Sequence, residues 1–282
     1  MKVDKRKVDL VIISDVHLGT YGCHAKELLK YLKSIDPEKL ILNGDIIDIW
    51  QFKKRYWPKS HMKVIKHITG LISKGVEVIY VTGNHDEMLR KFNGFELGSL
   101  SIVNKTTIHL KDGKAWIFHG DVFDVTMQHS KWLAKLGGVG YDMLILLNRF
   151  VNNVLVKIGK NRISISKRIK NSVKSAVAFI NRFENLIIEL AAENDFKYVV
   201  CGHIHQPIIK ENMGPRRDVT YLNSGDWVEN LTALEYHNDK WSLYKHEDTQ
   251  EILDEIELEM EEQLNNSILF DNLLAEFKIL NS

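Results

Sequence analysis

The chain has 282 residues, 44% of them hydrophobic, and a formal net charge of +1, which allows one large domain with a substantial core. Its two cysteines, Cys23 and Cys201, exclude a disulfide framework, and its longest apolar-rich stretch, 141–158, contains too many Asn, Arg and Lys residues for a membrane-spanning helix. The apolar stretch at 10–13 is too short for a signal peptide, so we expect a cytoplasmic protein that is either soluble or peripheral on the inner face of the cytoplasmic membrane.

Short runs rich in Val, Ile, Leu and Tyr predict strands, and two stretches between the early runs have the spacing of amphipathic helices. The predicted helices lie at about 24–34 and 59–73. The predicted strands lie at 8–14, 39–43, 76–82, 115–118, 197–201, 219–223, 231–236 and 241–245. This alternation of strands and helices, followed by hairpin-like strands, favours a two-sheet α/β sandwich.

The strand signal disappears in the middle of the chain, where residues 126–190 contain eleven Lys or Arg against three Asp or Glu. This segment has the pattern of two or three helices separated by glycine-containing breaks. We therefore predict a core formed by 1–125 and 194–246, with a helical lid inserted at 126–193. Residues 247–282 contain one basic residue against eleven acidic ones, with apolar residues at helical spacing, which predicts an acidic amphipathic tail.

Five clusters of Asp, Asn and His residues each follow an apolar, strand-like run. They are DVHLG at 15–19, GDIID at 44–48, GNHD at 83–86, HGD at 119–121 and GHIH at 202–205. Ligand sites in open α/β sheets gather at the carboxyl ends of strands, so these clusters can converge. Their convergence would form a two-metal site, which is typical of enzymes that hydrolyse phosphoric esters or anhydrides.

The candidate metal ligands are Asp15, His17, Asp45, Asn84, His119, His203 and His205. Asp15 and His17 are two residues apart at a strand end, so both side chains leave the same face. The carboxylate of Asp45 has two oxygens, enough to bridge two cations about 3.5 to 4 Å apart. The mixture of oxygen and imidazole ligands suits Mn²⁺, Fe or Zn²⁺ without choosing among them.

The five motifs, in this order, resemble those of the calcineurin-like metallophosphoesterase superfamily over residues 9 to about 227. The resemblance implies an αββα sandwich of two sheets with the helical lid inserted into it. It also implies that the first metal is held by Asp15, His17, Asp45 and His205. The second metal would be held by Asp45, Asn84, His119 and His203.

The resemblance also implies a catalytic role for His85, which would contact the phosphoryl group and protonate the leaving oxygen. Asp86 is its predicted orienting partner. Asp48 and Asp121 are less specific, because each could brace a ligand histidine or loop, or only cap a turn.

Within the superfamily, the helical insertion between the HGD and GHIH motifs is similar to that of the UDP-2,3-diacylglucosamine pyrophosphatase family of lipid A biosynthesis. That resemblance implies manganese-dependent cleavage of a UDP-sugar-lipid to UMP and a lipid phosphate. This chain has GNHD where that family commonly has GNRD. The alternatives are a general phosphodiesterase for nucleotides or nucleic acid and a catalytically silent binding module of the same fold.

The predicted lid combines basic and apolar residues, which suits a lipid that carries a phosphate group or contact with an anionic membrane surface. The alternative is that its apolar face only packs the lid and its lysines are solvated. Nucleic acid is not expected as a partner, because the basic region has few aromatics and no recognisable binding motif. Candidate contacts to the substrate diphosphate or acyl chains are Arg149, Lys157, Arg162, Lys167 and Arg168.

Overall fold

A computed structural model of the chain describes residues 5–49, 57–123, 165–214 and 218–247. The helices in these residues are α1 (Ala25–Ser34), α2 (Lys59–Ser73) and α3 (Ile165–Glu193), and short 3₁₀ helices lie at Glu87–Phe92 and Asp121–Phe123. The strands are β1 (Arg6–Ile13), β2 (Ile35–Asn43), β3 (Glu77–Val81), β4 (Phe95–Leu97), β5 (Leu100–Val103), β6 (Lys105–Leu110), β7 (Gly113–Phe118), β8 (Tyr198–Cys201), β9 (Ile208–Met213), β10 (Val219–Asn223), β11 (Thr232–His237) and β12 (Lys240–Lys245).

Seven strands form the first sheet, in the order β12-β11-β1-β2-β3-β5-β4. Strands β1, β2, β3 and β5 are parallel, with Ile12 of β1 opposite Ile41 of β2. Parallel sheets are usually covered on both faces, and alternate residues of β1 accordingly lie in different cores: Val11 and Ile13 in one, Ile12 in the other. The carboxyl ends of β1, β2 and β3 therefore meet at one edge of this sheet.

Five strands form the second sheet, in the order β6-β7-β8-β10-β9. Its central strands β7, β8 and β10 are parallel, and the outer strands β6 and β9 are antiparallel to their neighbours. The carboxyl ends of β7 and β8 lead directly into the HGD and GHIH motifs.

Three clusters of buried residues define the layers. One packs the inner faces of α1 and α2 against the seven-stranded sheet and includes Leu28. The second joins the two sheets, with Ile12 from one and Ile117 from the other. The third packs α3 against the five-stranded sheet and includes Phe183 and Tyr221. This order of helix, sheet, sheet and helix confirms the predicted αββα sandwich.

The predicted strands and the two early helices are all present, and the structure adds four strands that the sequence pattern did not indicate. Strand β6 (KTTIHL) alternates exposed and half-buried residues, and β4 is exposed throughout. The other two additional strands are β5 and β9, which are short or polar. A search for runs of Val, Ile, Leu and Tyr passes over such strands because they bury little apolar surface.

Helix α3 is the described part of the predicted lid. Phe183, Ile187 and Ala191 are buried against the five-stranded sheet, so the second half of this helix forms the outer layer of the sandwich. The predicted lid residues 126–164 lie outside the described residues, as does the predicted tail apart from its first residue. Among the helices that the structure describes, none combines the length and hydropathy needed to span a membrane.

Candidate metal centre

The candidate ligands come from both sheets and meet at the edge where their parallel strands end. Asp15 and His17 follow β1, and Asp45 follows β2, so these come from the seven-stranded sheet; the candidate histidines 119, 203 and 205 follow β7 and β8 of the other. The structure brings them together as a first group and a second group, with the potential ligand atoms in each group within 4.8 Å of one another. The first group is Asp15, His17 and His205. The second group is Asp45, His119 and His203.

In the first group, the carboxylate of Asp15 is fully buried and lies between two histidines. Its Oδ1 is 3.1 Å from His205 Nε2, and its Oδ2 accepts a hydrogen bond of 3.0 Å from the backbone N–H of His203. Burial alone would raise the pKa of Asp15, but the charges of His205 and His119 outweigh it and lower the pKa. The same pairing raises the pKa of His205 to about 9, against the opposing effect of its burial. Asp15 is therefore held as an anion.

In the second group, Asp45 Oδ2 lies 3.1 Å from His119 Nε2. Burial would raise the pKa of Asp45, but the nearby His119 lowers it. His119 Nδ1 is 2.9 Å from the backbone carbonyl oxygen of Asn43. A carbonyl only accepts, so Nδ1 carries the proton and Nε2 presents its lone pair when the ring is neutral. This is the tautomer that a metal ligand needs, and the outer hydrogen bond fixes the ring.

At the centre of the site, the buried atoms without a well-formed hydrogen bond within the described part of the chain include Asp15 Oδ1, His17 Nε2 and His119 Nε2. Asp15 Oδ1 and His119 Nε2 each lie 3.1 Å from a polar atom, His205 Nε2 and Asp45 Oδ2, but without the geometry of a hydrogen bond. Buried polar atoms are rarely left unsatisfied, so such a cluster calls for a ligand. Asp15 Oδ1 is also 4.0 Å from His119 Nε2, which makes the two groups neighbours. Carboxylate oxygens and imidazole nitrogens facing a shared space fit two divalent cations, and the donor set does not select one metal.

Five of the candidate ligands have a left-handed backbone, with φ between 51° and 65°: Asp15, His17, Asp45, His203 and His205. This conformation costs roughly 1–2 kcal/mol per residue outside glycine and clusters at functional sites. Three glycines, Gly44, Gly83 and Gly202, allow the ligands to approach, and a Cβ on Gly83 would lie 2.3 Å from Asp45 Oδ1. A Cβ on Gly44 would lie 2.3 Å from His119 Nδ1, and one on Gly202 would lie 2.6 Å from Asp15 Oδ2.

Next to the two groups, His85 is held at both its backbone and its ring. Its N–H donates to Asp45 Oδ1 at 2.7 Å, and its Nδ1 lies 3.0 Å from Asp48 Oδ2. The hydrogen-bonding carboxylate of Asp48 raises the pKa of His85 against the effect of burial. His17 Nδ1 lies 3.3 Å from the same Asp48 oxygen, so one buried carboxylate serves two histidines. Asn84, which directly precedes His85, is half-buried.

The acidic neighbour of His85 is therefore Asp48, whereas the sequence pattern predicts Asp86. The carboxylate of Asp86 is buried and accepts hydrogen bonds from the N–H groups of Gly83 (2.6 Å) and Ile46 (2.9 Å) and from the hydroxyl of Tyr80 (2.6 Å). These bonds join the GDIID and GNHD loops, which makes Asp86 a support of the loops. Because both oxygens of Asp86 already accept hydrogen bonds, its carboxylate is not free to turn towards the ring of His85.

The remaining predicted residues differ in how far the structure describes them. Asp121 accepts a hydrogen bond of 2.6 Å from Arg90 Nη2 and so connects the HGD motif to the 3₁₀ helix after GNHD. The proposed substrate contacts Arg149, Lys157 and Arg162 lie outside the described residues. Lys167 and Arg168 belong to α3, and only the course of the backbone is described there.

Two residues of the site were missed from the sequence. Asn43, the last residue of β2, supplies the carbonyl that orients His119. Asp226, in the NSGDW loop, is fully buried, and its Oδ2 lies 3.9 Å from His205 Nδ1. The carboxylate directly before the tryptophan in NSGDW, after a predicted strand, is the signal that could have indicated Asp226. A backbone carbonyl leaves no such signal in the residue type.

Comparison with known proteins gives one family. Residues 8–207 match the family described as calcineurin-like phosphoesterase. The chain is 26% identical over 250 residues to the UDP-2,3-diacylglucosamine hydrolase of Aliivibrio fischeri, covering 84% of this chain and 98% of that protein. It is 25% identical over 238 residues to the enzyme of the same name from Haemophilus influenzae, covering 79% and 92%.

Solved structures with a similar course of the backbone include an archaeal phosphodiesterase. It is 13% identical to this chain, with a TM-score of 0.41, and the match covers 84% of this chain and 98% of that chain. The phosphoesterase Yfce from E. coli, at 15% identity and a TM-score of 0.41, covers 83% and 90%. These scores are too low to support any inference about the site.

Proposed function

Because the chain belongs to the calcineurin-like phosphoesterase family, as its five motifs predicted, and is a hydrolase of this class, we propose that it cleaves the phosphoric anhydride of a nucleotide-linked lipid. The substrate we propose resembles UDP-2,3-diacylglucosamine, and the products are UMP and a lipid phosphate. The observation that carries the proposal is the pair of ligand groups, with Asp15 Oδ1, His17 Nε2 and His119 Nε2 buried between them and lacking a well-formed hydrogen bond to any described residue. Similarity over most of the chain to enzymes named UDP-2,3-diacylglucosamine hydrolase supports the substrate.

The residues present fit a pair of divalent ions, with Mn²⁺ as our first choice and Fe or Zn²⁺ as alternatives. Asp15, His17 and His205 would hold one ion. Asn84, His119 and His203 would hold the other. Asp45 would contact both. Such a pair supplies a nucleophile from water at neutral pH and neutralises negative charge on the phosphoryl oxygens.

The protein's own contribution to the chemistry centres on His85. Its Nδ1 faces the carboxylate of Asp48, so Nε2 is the ring atom left to contact the substrate. The raised pKa of His85 favours the protonated ring, which can give a proton to the leaving phosphate oxygen. The backbone hydrogen bond from His85 to Asp45 keeps this donor beside the ligand groups. Asp48 therefore positions the proton donor and one metal ligand together.

A nucleotide-linked lipid would bring the enzyme to a membrane surface, and we propose that it works in the cytoplasm at the inner face of the cytoplasmic membrane. The proposed reaction releases a water-soluble nucleotide and leaves the acyl chains with the lipid product. This division of products separates the proposed function from that of a phosphodiesterase that acts only on soluble or polymeric nucleotides.

The test is a comparison of substrates with protein reconstituted separately with Mn²⁺, Zn²⁺ and Fe²⁺. UDP-2,3-diacylglucosamine, a cyclic dinucleotide and single-stranded DNA are each supplied at equal concentration, and products are identified by mass spectrometry. We expect UMP and the lipid phosphate to form faster than any product of the other two. Faster turnover of the cyclic or polymeric substrate would replace the lipid proposal with a general phosphodiesterase.

A second arm uses bis(p-nitrophenyl) phosphate, an activated diester that demands little of the substrate pocket. Turnover of this diester without turnover of the lipid would retain the reaction class and overturn the substrate. Failure on every substrate, with metal bound, would indicate a binding module of the same fold.

A further inference from the structure

The outer face of α1 and α2 carries a groove bordered by lysines, on the side of the sandwich away from the five-stranded sheet. We call this surface the lysine groove. Its basic residues are Lys26, Lys33, Lys59, Lys63, Lys66 and Lys74. All six are exposed. The groove consists of two adjoining cavities of about 380 and 430 Å³, which share Leu29 and Lys63 in their linings.

The floor of the groove is apolar and fixed. Leu29 of α1 and Leu71 of α2 line it, and both belong to the core beneath the helices. His67 Nε2 lies 3.1 Å from the backbone oxygen of Leu32, which ties α2 to α1. Met62, on the exposed side of α2, is 52% exposed. The aliphatic stems of the lysines surround this floor, so apolar surface lies at the bottom of the groove and positive charge lies at its rim.

Among the residues that the structure describes, no nearby acid neutralises the positive charge of the lysine groove. No Asp or Glu is among the described residues that line the two cavities. None of its lysines forms an ion pair within the described ranges of the chain, and the one acid of the two helices, Glu27, lies 3.8 Å from His24. Burial lowers the pKa of His67 despite the hydrogen bond to the Leu32 carbonyl, and the charges of Lys5, Lys33 and Lys74 lower it further.

The chemistry of the groove favours a diffuse anionic surface over a single shaped ligand. Lysine is a point charge on a flexible stem, whereas bidentate recognition of one phosphate group is favoured by the planar fork of arginine. The cavity linings contain no arginine and no Phe, Tyr or Trp among the described residues, so bases of a single-stranded nucleic acid would find no stacking surface there. Lysines that surround apolar surface match the interface of an anionic bilayer.

We propose that the lysine groove docks the enzyme on an anionic phospholipid bilayer. None of the residues of the lysine groove belongs to the segment 126–193, for which the sequence suggested membrane contact. It is joined to the metal centre through α2, because His61 in the first turn of that helix accepts a hydrogen bond of 3.0 Å from the N–H of Gly19 in the DVHLG loop. Docking through the lysine groove would hold the DVHLG side of the metal centre at a constant distance from the lipid headgroups. This role of the groove rests on the proposed lipid substrate.

The test measures binding of the full chain to sedimented vesicles and needs no turnover. Vesicles of phosphatidylcholine are compared with vesicles that also contain phosphatidylglycerol. We expect binding only to the second kind, decreasing as salt is added. Each lysine near an anionic surface contributes about a fivefold increase in binding, so the triple substitution Lys26→Gln, Lys63→Gln, Lys66→Gln should weaken binding by about 100-fold.

The matched control is the triple substitution Lys105→Gln, Lys114→Gln, Lys240→Gln, which removes the same charge from exposed lysines on strands β6, β7 and β12. We expect this control to bind vesicles nearly as well as the unchanged protein, and both triples to hydrolyse bis(p-nitrophenyl) phosphate normally. Three results would each overturn the proposal. They are an equal loss of vesicle binding in the two triple variants, no binding of the unchanged protein to anionic vesicles, and a lysine-groove triple that loses binding to single-stranded DNA while it keeps binding to vesicles. None of these results depends on whether the lipid substrate is cleaved.

Discussion

The two ligand groups are supported in different ways. In the first group, His205 is 33% exposed at its side chain, and the groups behind the histidines are the carboxylates of Asp48 and Asp226. In the second group, the His119 side chain is 1% exposed, and the group behind it is a backbone carbonyl at the end of β2. A carbonyl in a strand cannot be replaced by substitution, whereas a carboxylate can. The support of His119 in the second group is therefore built into the backbone, whereas the supports of the histidines in the first group can be changed by single substitutions.

The largest expected effect is the loss of the metal ions from both ligand groups, which leaves no difference in support between the groups to measure. Asp45→Ala deletes the carboxylate that faces His119 and receives the N–H of His85, and we expect both metal ions and all measurable turnover to be lost. Metal content after dialysis, measured by elemental analysis, checks the first expectation, and hydrolysis of bis(p-nitrophenyl) phosphate checks the second. Retention of one full equivalent of metal would show that Asp45 serves only one group.

The control for that variant is His85→Ala, which removes a ring that lies beside the ligand groups without belonging to either. It should retain both metal ions and slow hydrolysis by roughly 10² to 10⁴-fold, as is typical when general acid–base help is lost. Equal metal loss in the two variants would contradict this separation of ligand and proton donor.

A smaller effect tests the adjustable character of the first group. Asp48→Asn weakens the hold on His17, and we expect its metal ion to bind about 10 to 100 times more weakly while the second ion is retained. Asp226→Asn should have less effect, because Asp226 Oδ2 lies 3.9 Å from His205, beyond hydrogen-bond distance. Titration against a metal chelator measures both affinities. Equal weakening of both ions by Asp48→Asn would remove the distinction between the groups.

The smallest effect concerns stability and tests whether the second group is built into the fold. Gly44→Ala introduces a Cβ 2.3 Å from His119 Nδ1 at a residue with φ of 81°. Gly75 has a similar φ of 86°, and a Cβ added there would have no described atom within 4 Å, so Gly75→Ala is the matched control. We expect Gly75→Ala to cost about 1–2 kcal/mol of unfolding free energy.

Gly44→Ala should cost about 1–3 kcal/mol more than this control, because its methyl group must displace a buried ring. Urea unfolding measures both variants. If the two glycine variants lost equal stability, the close contact with His119 would have no energetic weight.

Most of the fold and most of the site follow from local patterns. Most of the predicted strands, such as β1, β3 and β8, were runs of apolar residues that the sheets bury on both faces, and such runs are the clearest signal in a sequence. The candidate ligands follow those strands, so their convergence within each sheet required only the rule that parallel strands end together; the meeting of the two sets depends on how the sheets pack. The choice of Asp15, His17 and Asp45 needed no tertiary information beyond that rule.

The parts that sequence reasoning did not supply depend on contacts between distant segments. Asp48 of the GDIID motif and Asp86 of the GNHD motif are both acidic residues that could face His85. Only the packing of the loops decides which of them faces its ring. The carbonyl of Asn43 acts through the backbone, which any residue could supply. The lysine groove forms from two helices separated in sequence, and a count of net charge gives no sign of it.

Each ligand group takes residues from both sheets, from Asp15 near the start of the chain to His205 almost two hundred residues later. Ions bound there would act as cross-links between two layers that also meet through an apolar core and through hydrogen bonds such as the one from the His203 N–H to Asp15 Oδ2. Loading the site would then suppress sliding of one sheet over the other, and chelation would loosen the sandwich at its catalytic edge before the opposite edge responds.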